Sequence, residues 1–470
     1  TGDSAMCFRS IAELPSGKIT INPLPTFALA ISLCWATGQV AADAAGPDQA
    51  RVAELAIPAL RETIQALEGR GDTWHPQIAE SVLSLARHVQ EAGDHPEAIA
   101  LLERAVHVSR VNHGLFSLEQ VSALEMQIDS HLALDQWAEA DGLRQYLFYV
   151  HSRALDDNDP ALIPALEAYA QWNIRAFWQR LGELPASRLV DAYHLYSVAL
   201  SIIDQDAELT EQSREDMLER LAYLAWLMAR TDAQGRQHAQ HTNIRLVDDN
   251  WVDQVTGRRY RNHNNPFLQG EYALDQIVEM RAQRLAAADA AGVMGEARDD
   301  LLVAHTNAIL DLADWYLLFE RRNASIDVYE RAWASLQDED KALRDRVFDR
   351  VVMLPRFETT RQPDADPVPY REPVTTVADV PPVGTASVDE DAPGVPYVVM
   401  EFDINQYGRA INVDIVDSWP KEDFGMQRRL IGALRDSRMR PIMRDGSASR
   451  VEDLVYRFPY EIESTSSEAQ

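Results

Sequence analysis

Residues 85–106 read LARHVQEAGDHPEAIALLERAV, with apolar residues at helical spacing on both sides of a central glycine–aspartate pair. Glycine accepts the left-handed conformation that ends a helix, and aspartate is a frequent N-cap, so Gly93 and Asp94 predict a tight turn between two helices. Small residues stand where the helices would cross, at Ala86 in the first and Ala98 in the second. The stretch therefore predicts a closely packed antiparallel helix pair.

The same pattern returns along the chain. In a second copy Asp135 matches Gly93, 42 positions earlier, and Ala140 matches Ala98. A third copy fits after a few inserted residues, and a fourth reads LADWYLLFERRNASIDVYERAW at 312–333. The residues at the small and apolar positions are Ala170, Ala192, Tyr196 and Ala199 in the third copy and Ala313, Ser325, Tyr329 and Ala332 in the fourth. Helix pairs that recur in this way stack and bury a continuous core.

These copies resemble tetratricopeptide repeats, in a longer variant with a period near 42, over roughly residues 75–204 and 295–336. The resemblance implies a mainly α fold in which residues 45–353 form a tetratricopeptide-like α-solenoid with a concave face that binds peptides or protein segments. Two alternatives stay open: an unrelated alanine-rich helical bundle, and a solenoid that is only a spacer.

Residues 231–270 interrupt the helical pattern with Asn, Asp, Gly and His, which predicts an irregular insertion. Long loops inside compact arrays are uncommon and often functional. The cluster Arg258, Arg259 and Tyr260 is basic and aromatic within an acidic protein. We expect it to contact an acidic partner or to pack over one end of the groove.

Residues 354–396 form a proline-rich linker, with nine prolines among Asp, Thr and Val. Such a composition cannot build a core and favours an extended spacer, in part polyproline II. The linker is expected to separate the helical region from the C-terminal residues 397–463.

The C-terminal residues change to a period of two. Alternation over 397–404 and again around 411–415, with a turn that ends at Gly408, predicts a β-hairpin. A helix is predicted over 421–438, with Phe424, Gln427, Leu430, Ile431 and Leu434 on one side. A last strand places Leu454, Tyr456, Phe458, Tyr460 and Ile462 on one face. The expected unit is a small α+β domain of β-β-α-β order, followed by a disordered tail at 464–470.

This unit resembles the C-terminal domain of TonB, the Gram-negative envelope protein. The resemblance is carried by VVMEFDINQYGRAINVDIVDS at 398–418, Arg440-Pro441 after the helix, Asp445-Gly446, and RFPYEI at 457–462. It implies that the last strand captures an extended segment of a partner by strand addition. Proline cannot donate to a ladder, so Pro459 favours an edge position and places docking at 451–457, with Val451, Asp453, Val455 and Arg457 as partner-binding residues.

Three departures limit what this resemblance implies. The lead-in helix and the tyrosine–proline motif of the family are missing before the first strand, where the sequence reads PPVGTASVDEDAPG. The N-terminal apolar segment also lacks the histidine that energy transducers carry in their membrane anchor. The domain is therefore expected to bind partners rather than to transmit force.

The first 44 residues have the layout of a secretory signal. Arg9 and Lys18 precede an apolar stretch from Leu24 to Val40, and Ala42-Asp43-Ala44 offers a cleavage site. The alternative is an uncleaved inner-membrane anchor over residues 24–41, facing the periplasm. The signal predicts a periplasmic protein.

The balance of 44 basic against 74 acidic residues gives a net charge of −30, which disfavours nucleic acid and membrane-surface binding. The two cysteines, Cys7 and Cys34, allow no cysteine-based metal site in the body of the chain. His238 and His241 lack the glutamate of a zinc-protease motif, and no phosphate loop or nucleophile elbow occurs. No catalytic residue, metal or cofactor is expected.

The sequence thus predicts a non-enzymatic periplasmic protein–protein interaction module that binds envelope proteins, among them a segment of an outer-membrane transporter. The alternatives are a TonB-type energy transducer anchored by residues 24–41, and an enzyme with a helical catalytic domain.

Overall fold

A computed structural model describes residues 47–69, 74–182, 185–206, 209–235, 250–252, 259–261, 265–348, 352–354, 397–421 and 423–459. Its first part is helical, and we call helices α1–α12 the helical array. Their bounds are α1 Pro47–Glu68, α2 Pro76–Glu91, α3 His95–His113, α4 Val121–Ala133, α5 Trp137–Ala154, α6 Ile163–Trp178, α7 Pro185–Ile203, α8 Glu211–Gly235, α9 Pro266–Ala290, α10 Glu296–Leu318, α11 Arg322–Ala334 and α12 Lys341–Phe348.

The helix pair predicted at 85–106 is present as α2 and α3. Gly93 takes a φ of +84°, and the Asp94 side chain accepts a 3.1 Å hydrogen bond from the backbone N–H of Glu97, as the turn chemistry requires. Ala86 and Ala98 are fully buried. A larger side chain at either position would push the helices apart, because cores leave no room for added methylenes.

The other copies pack in the same way, which confirms tetratricopeptide-like helix pairs. Asp135 replaces Gly93 at the turn and takes a positive φ of 58°, a conformation that aspartate tolerates better than most residues. The small and apolar positions of the second, third and fourth copies are all buried: Ala140, Ala170, Ala192, Tyr196, Ala199, Ala313, Ser325, Tyr329 and Ala332.

The insertion is shorter than predicted. Helix α8 continues through Gly235, and α9 already begins at Pro266, where the Asn265 side chain accepts a 3.0 Å hydrogen bond from the N–H of Phe267. The predicted bounds of 231 and 270 were wrong because polar residues on long helices mimic a loop composition. His238 and His241 lie outside the described residues.

Within the described residues, the C-terminal unit has seven strands and one helix. Their bounds are β3 Met353–Leu354, β4 Tyr397–Ile404, β5 Ala410–Trp419, α13 Phe424–Asp436, β6 Arg438–Met439, β7 Ile442–Arg444, β8 Ser447–Ser449 and β9 Val451–Pro459. The main sheet has the order β5-β4-β9, with both pairs antiparallel, and α13 covers the face that carries Met400 and Phe402. The predicted β-β-α-β order is present, and β3 with β6 and β7 with β8 form two further small ladders.

Two predictions within this unit were wrong. The helix covers 424–436 rather than 421–438, because Asp423 caps its N-terminus by accepting a hydrogen bond from the N–H of Met426. Phe424 is 68% exposed, although its spacing placed it on the buried side. It is the first residue of α13 and does not belong to the buried cluster between the helix and the sheet.

The predicted start of the linker at residue 354 was also wrong. Met353 and Leu354 form β3 and pair with Met439 and Arg438 of β6. The linker residues beyond 354 and the tail at 464–470 lie outside the described residues, as do residues 1–46 with the expected signal. Among the helices that the structure describes, none combines the length and apolar character that a membrane span requires.

Candidate functional site

The outer edge of β9 is the candidate site. Strand β9 pairs with β4 on one side, and in the described part of the chain no strand pairs with its other side. Unpaired edge groups offer a template for a further strand. The sequence-predicted residues Val451, Asp453, Val455 and Arg457 all lie on β9, but they do not form one continuous edge.

A β-bulge at Asp453 divides the strand. The register between β4 and β9 shifts between Phe402 and Ile404, and Asp453 has a φ of 58°. The N–H of Asp453 is turned to the Asp403 carboxylate, to which it donates at 3.1 Å. Bulges of this kind interrupt the ladder and bend the strand. The bulge therefore divides the predicted docking range of 451–457, and regular pairing with β4 covers residues 454–459, which we call the regular edge.

The Asp403 carboxylate holds this bulge in place. It accepts hydrogen bonds of 2.6 Å from the Arg450 guanidinium and 2.6 Å from the Asn412 amide. These hydrogen bonds, with that from the Asp453 amide, hold the pKa of Asp403 below its usual value. Val451 lies on the other side of the bulge, where it is buried and pairs with Ile404. Its side chain therefore packs in the core of the C-terminal unit.

The regular edge has two different faces. On the face under α13, the rings of Tyr456 and Phe458 lie 5.9 Å apart, and Tyr456 is buried, which raises its pKa. On the other face the Arg457 guanidinium lies 3.9 Å from the centre of the Tyr397 ring. A strand added here would place alternate side chains beside an aromatic row and beside an exposed cation.

The second predicted set lies in the insertion. Arg259 and Tyr260 belong to β2 (Arg259–Arg261), which pairs with β1 (Asn250–Val252) in a two-stranded ladder. Arg258 lies outside the described residues. This ladder and β9 are separate elements, and no described contact brings the two predicted sets together.

The sequence did not predict the join between the two parts of the molecule. Arg440, in the loop after β6, donates from Nε to both carboxylate oxygens of Asp314 on α10 at 3.1 Å, and from Nη2 to Asp314 at 2.5 Å and to Asp311 at 3.1 Å. The Tyr329 hydroxyl donates to Asp314 at 2.5 Å. Arg440, Asp314 and Tyr329 are all at most 5% exposed. We call these three residues the buried join.

Within the buried join, the pKa values of Arg440 and Tyr329 are both raised. Burial alone would lower the pKa of Arg440, but the carboxylates of Asp314 and Asp311 raise it instead. Burial, together with the Asp314 carboxylate, raises the pKa of Tyr329. The raised pKa values keep the Arg440 guanidinium charged and the Tyr329 hydroxyl protonated across the physiological range.

A second, more exposed ion cluster lies nearby at Glu320, which follows α10. Its carboxylate accepts hydrogen bonds from Arg438 and from Arg409, the latter at 2.9 and 3.0 Å, and it also pairs with Arg322. Burial would raise the pKa of Glu320, but the hydrogen bonds from Arg438, Arg409 and Arg322 outweigh it and lower the pKa to about 2.

This depressed pKa predicts a pH dependence. Because the pKa of Glu320 is lower when folded (about 2) than its ordinary 4.5, its stabilising contribution is complete above about pH 4.5 and is lost as the pH falls through about 2. The difference in unfolding temperature between the protein and its Glu320→Gln variant should shrink over that range. Glu97→Gln, which removes the exposed pair with Arg61, is the control and should give a small difference throughout. A constant Glu320→Gln difference from pH 6 to pH 2.5 would contradict the assignment.

The helical array has a small cleft of its own. A cavity of about 150 Å³ lies between α4, α5 and α6, lined mainly by apolar atoms, with Glu125, Arg144 and His151 among its walls. Burial lowers the pKa of His151 and that of Arg144. The volume suits one side chain of a bound segment rather than a drug-sized ligand.

No protein-family model and no curated protein matches this chain. Two of the solved structures to which this chain is similar are the following. One is a putative kinesin light chain with nearly identical TPR-like repeats from Podosopora anserina, 17% identical over 57% of this chain and 99% of that chain, with a TM-score of 0.31. The other is BtubC from P. vanneervenii, 12% identical over 62% of this chain and 92% of that chain, with a TM-score of 0.29. The helix pairs described above are tetratricopeptide-like by their own packing, an architecture typical of protein-interaction modules.

Proposed function

We propose that this protein is a non-enzymatic protein-interaction module of the Gram-negative envelope, and that its C-terminal sheet captures an extended segment of a partner by strand addition. The observation that carries the proposal is the edge of β9 over residues 454–459, which has no neighbouring strand within the described parts. The resemblance to the TonB C-terminal domain supports this role.

Strand addition suits the chemistry of this edge. Main-chain hydrogen bonds supply the affinity, while the aromatic row on one face and Arg457 on the other select side chains of the bound segment. The bulge at Asp453 limits the docked strand at one end, and Pro459, which has no N–H, limits it at the other. We therefore propose a bound segment of about six residues, with apolar residues toward Tyr456 and an acidic residue toward Arg457.

The helical array adds a second surface to the same proposal. Tetratricopeptide-like arrays bind partner segments in their concave face, and the cleft between α4 and α6 offers a place for one side chain. We propose that the array holds another envelope protein. Export by the N-terminal segment is part of the proposal, and sequencing of the mature N-terminus tests it, since a start near Asp43 is expected.

Site-specific photo-crosslinking tests strand capture. A photo-reactive residue at 455 or 457 should crosslink to neighbouring positions of one continuous segment of a single partner. The control is position 416 on β5, whose valine is 46% exposed at the opposite edge of the sheet. A second arm measures the crosslinking yield from position 457 in a Val455→Pro variant whose circular dichroism spectrum matches that of the parent. The yield should fall, because proline removes a backbone N–H donor from the edge. Equal crosslinking from 416 and 457, or an unchanged yield in Val455→Pro, would contradict the proposal.

A further inference from the structure

The proline-rich segment does not separate the array from the sheet. Leu354, before it, pairs with Arg438 in the β3–β6 ladder, and Tyr397, after it, pairs with Trp419 and Pro459 in the main sheet. The described residues that flank positions 355–396, Leu354 and Tyr397, are therefore both paired within the C-terminal unit. Its length does not set the distance between that unit and the helical array.

The contact between array and C-terminal unit has an apolar part. Met443 of β7 is buried in the same cluster as Phe348 of α12 and Tyr329 of α11, and Leu354 belongs to it as well. Apolar burial stabilises such a contact but is non-directional, since it depends on the area removed from water. On its own it would allow the unit to settle in more than one orientation.

The buried join is directional. The guanidinium of Arg440 faces both oxygens of Asp314, and the Tyr329 hydroxyl takes part in the same network from α11. A buried ion pair contributes little more than apolar residues of equal size would, yet a shifted orientation leaves a buried charge without its partner. The network therefore penalises every orientation except the one observed.

We propose that Arg440, Asp314 and Tyr329 form an orientation lock between the helical array and the C-terminal sheet, through which the array holds the β9 edge at one fixed position. The lock makes the two parts one rigid body, so that a segment bound at β9 would stand at a defined place relative to the array. The inference depends on the contacts of the join and not on strand capture.

Distances between spin labels in the full chain test the lock. Labels at Asp327→Cys on α11 and Val416→Cys on β5, both exposed positions, are introduced with Cys7→Ser and Cys34→Ser. The parent should give one narrow distance distribution. In the variant Asp314→Leu, Tyr329→Phe and Arg440→Met, which makes the join apolar at similar volume, the distribution should widen at least twofold while the protein stays folded. A distribution of unchanged width and centre in the folded variant would overturn the proposal.

Two controls separate loss of orientation from general loosening. Labels at Asp327→Cys and Met294→Cys lie within the array and should keep their distance in every variant. Arg450→Met removes an ion pair inside the C-terminal unit, the more exposed one with Asp403, and should leave the 327–416 distance unchanged. If the triple variant does not fold, Arg440→Lys is tested in its place, because lysine keeps the positive charge but cannot form the bidentate hydrogen bonds of arginine. It should widen the distribution, and a parent-like distribution would overturn the lock.

Discussion

Replacing Gly270 by alanine is expected to destabilise the protein by about 3 kcal/mol, the cost of overpacking a rigid core site. Gly270 lies in α9, where a Cβ atom would stand 2.1 Å from Cζ2 of Trp315. That tryptophan is 1% exposed, and its Nε1 donates to the carbonyl of Phe267 at 3.0 Å, so the ring cannot move aside. Urea unfolding monitored by circular dichroism measures the loss.

A matched glycine supplies the control. Gly432 lies in α13, and a Cβ atom there would meet nothing within 4 Å. Gly432→Ala should therefore stabilise the protein by up to about 1 kcal/mol through helix propensity alone. Trp315→Phe removes the ring atoms that collide, so adding it to Gly270→Ala should recover part of the lost stability. If Gly270→Ala unfolded at the same urea concentration as the parent, the close approach of α9 and α10 would be refuted.

The helix pairs were predictable because their determinants are local. Gly93, Asp94 and the small residues that follow act within one turn and one crossing, so their spacing survives in the sequence. The fourth copy was found in the same way, and its Ala313 and Tyr329 are buried as expected. The strands of the C-terminal sheet were predictable for the same reason, through their alternation.

The join was not predictable, because its partners are 126 residues apart and neither carries a local signal. Asp314 is equivalent to Arg87 of the first copy, because each follows the small core residue, Ala313 or Ala86. The repeat pattern predicts that this position faces solvent. The one available signal is that the basic residue at this position in the first copy is replaced by an acidic residue in the fourth, while the neighbouring core residue is alanine in both. The bulge at Asp453 was not predictable for a related reason, because a positive φ at one aspartate does not alter the apolar–polar alternation of the strand sequence.

The candidate site falls between these two cases. The sequence predicts a last strand at the edge of the sheet, but it does not predict how many residues of that strand pair regularly with β4. Asp403, which fixes the bulge, is one of the polar residues in the alternation of β4, and that pattern carries no sign of its partners. Its three partners come from β4's neighbours and the loop before β9, and a single sequence does not bring them together.

The glycine of the β4–β5 turn should be the most sensitive position of the C-terminal unit. Gly408 has a φ of +68°, and a Cβ atom there would stand 2.0 Å from the carbonyl oxygen of Met439 and 3.0 Å from the Leu317 side chain of the array. Gly408→Ala should destabilise the protein by roughly 3–5 kcal/mol, since left-handed strain and a backbone collision add. Amide exchange at Met439, whose N–H donates to the Gly408 carbonyl at 2.8 Å, should accelerate in the same variant.

Asparagine separates the two causes of this loss. It tolerates the left-handed conformation but has a Cβ atom, so strain alone would leave Gly408→Asn near the parent. Because the collision is with backbone, Gly408→Asn should lose nearly as much stability as Gly408→Ala. Gly446 is the matched position, with a φ of +83° and an ordinary 3.6 Å contact from its would-be Cβ to Trp333. Gly446→Asn should cost only about 1 kcal/mol of strain. Equal losses at 408 and 446 would show that the turn glycine serves the hairpin alone, and that its contact with Met439 and the array adds nothing.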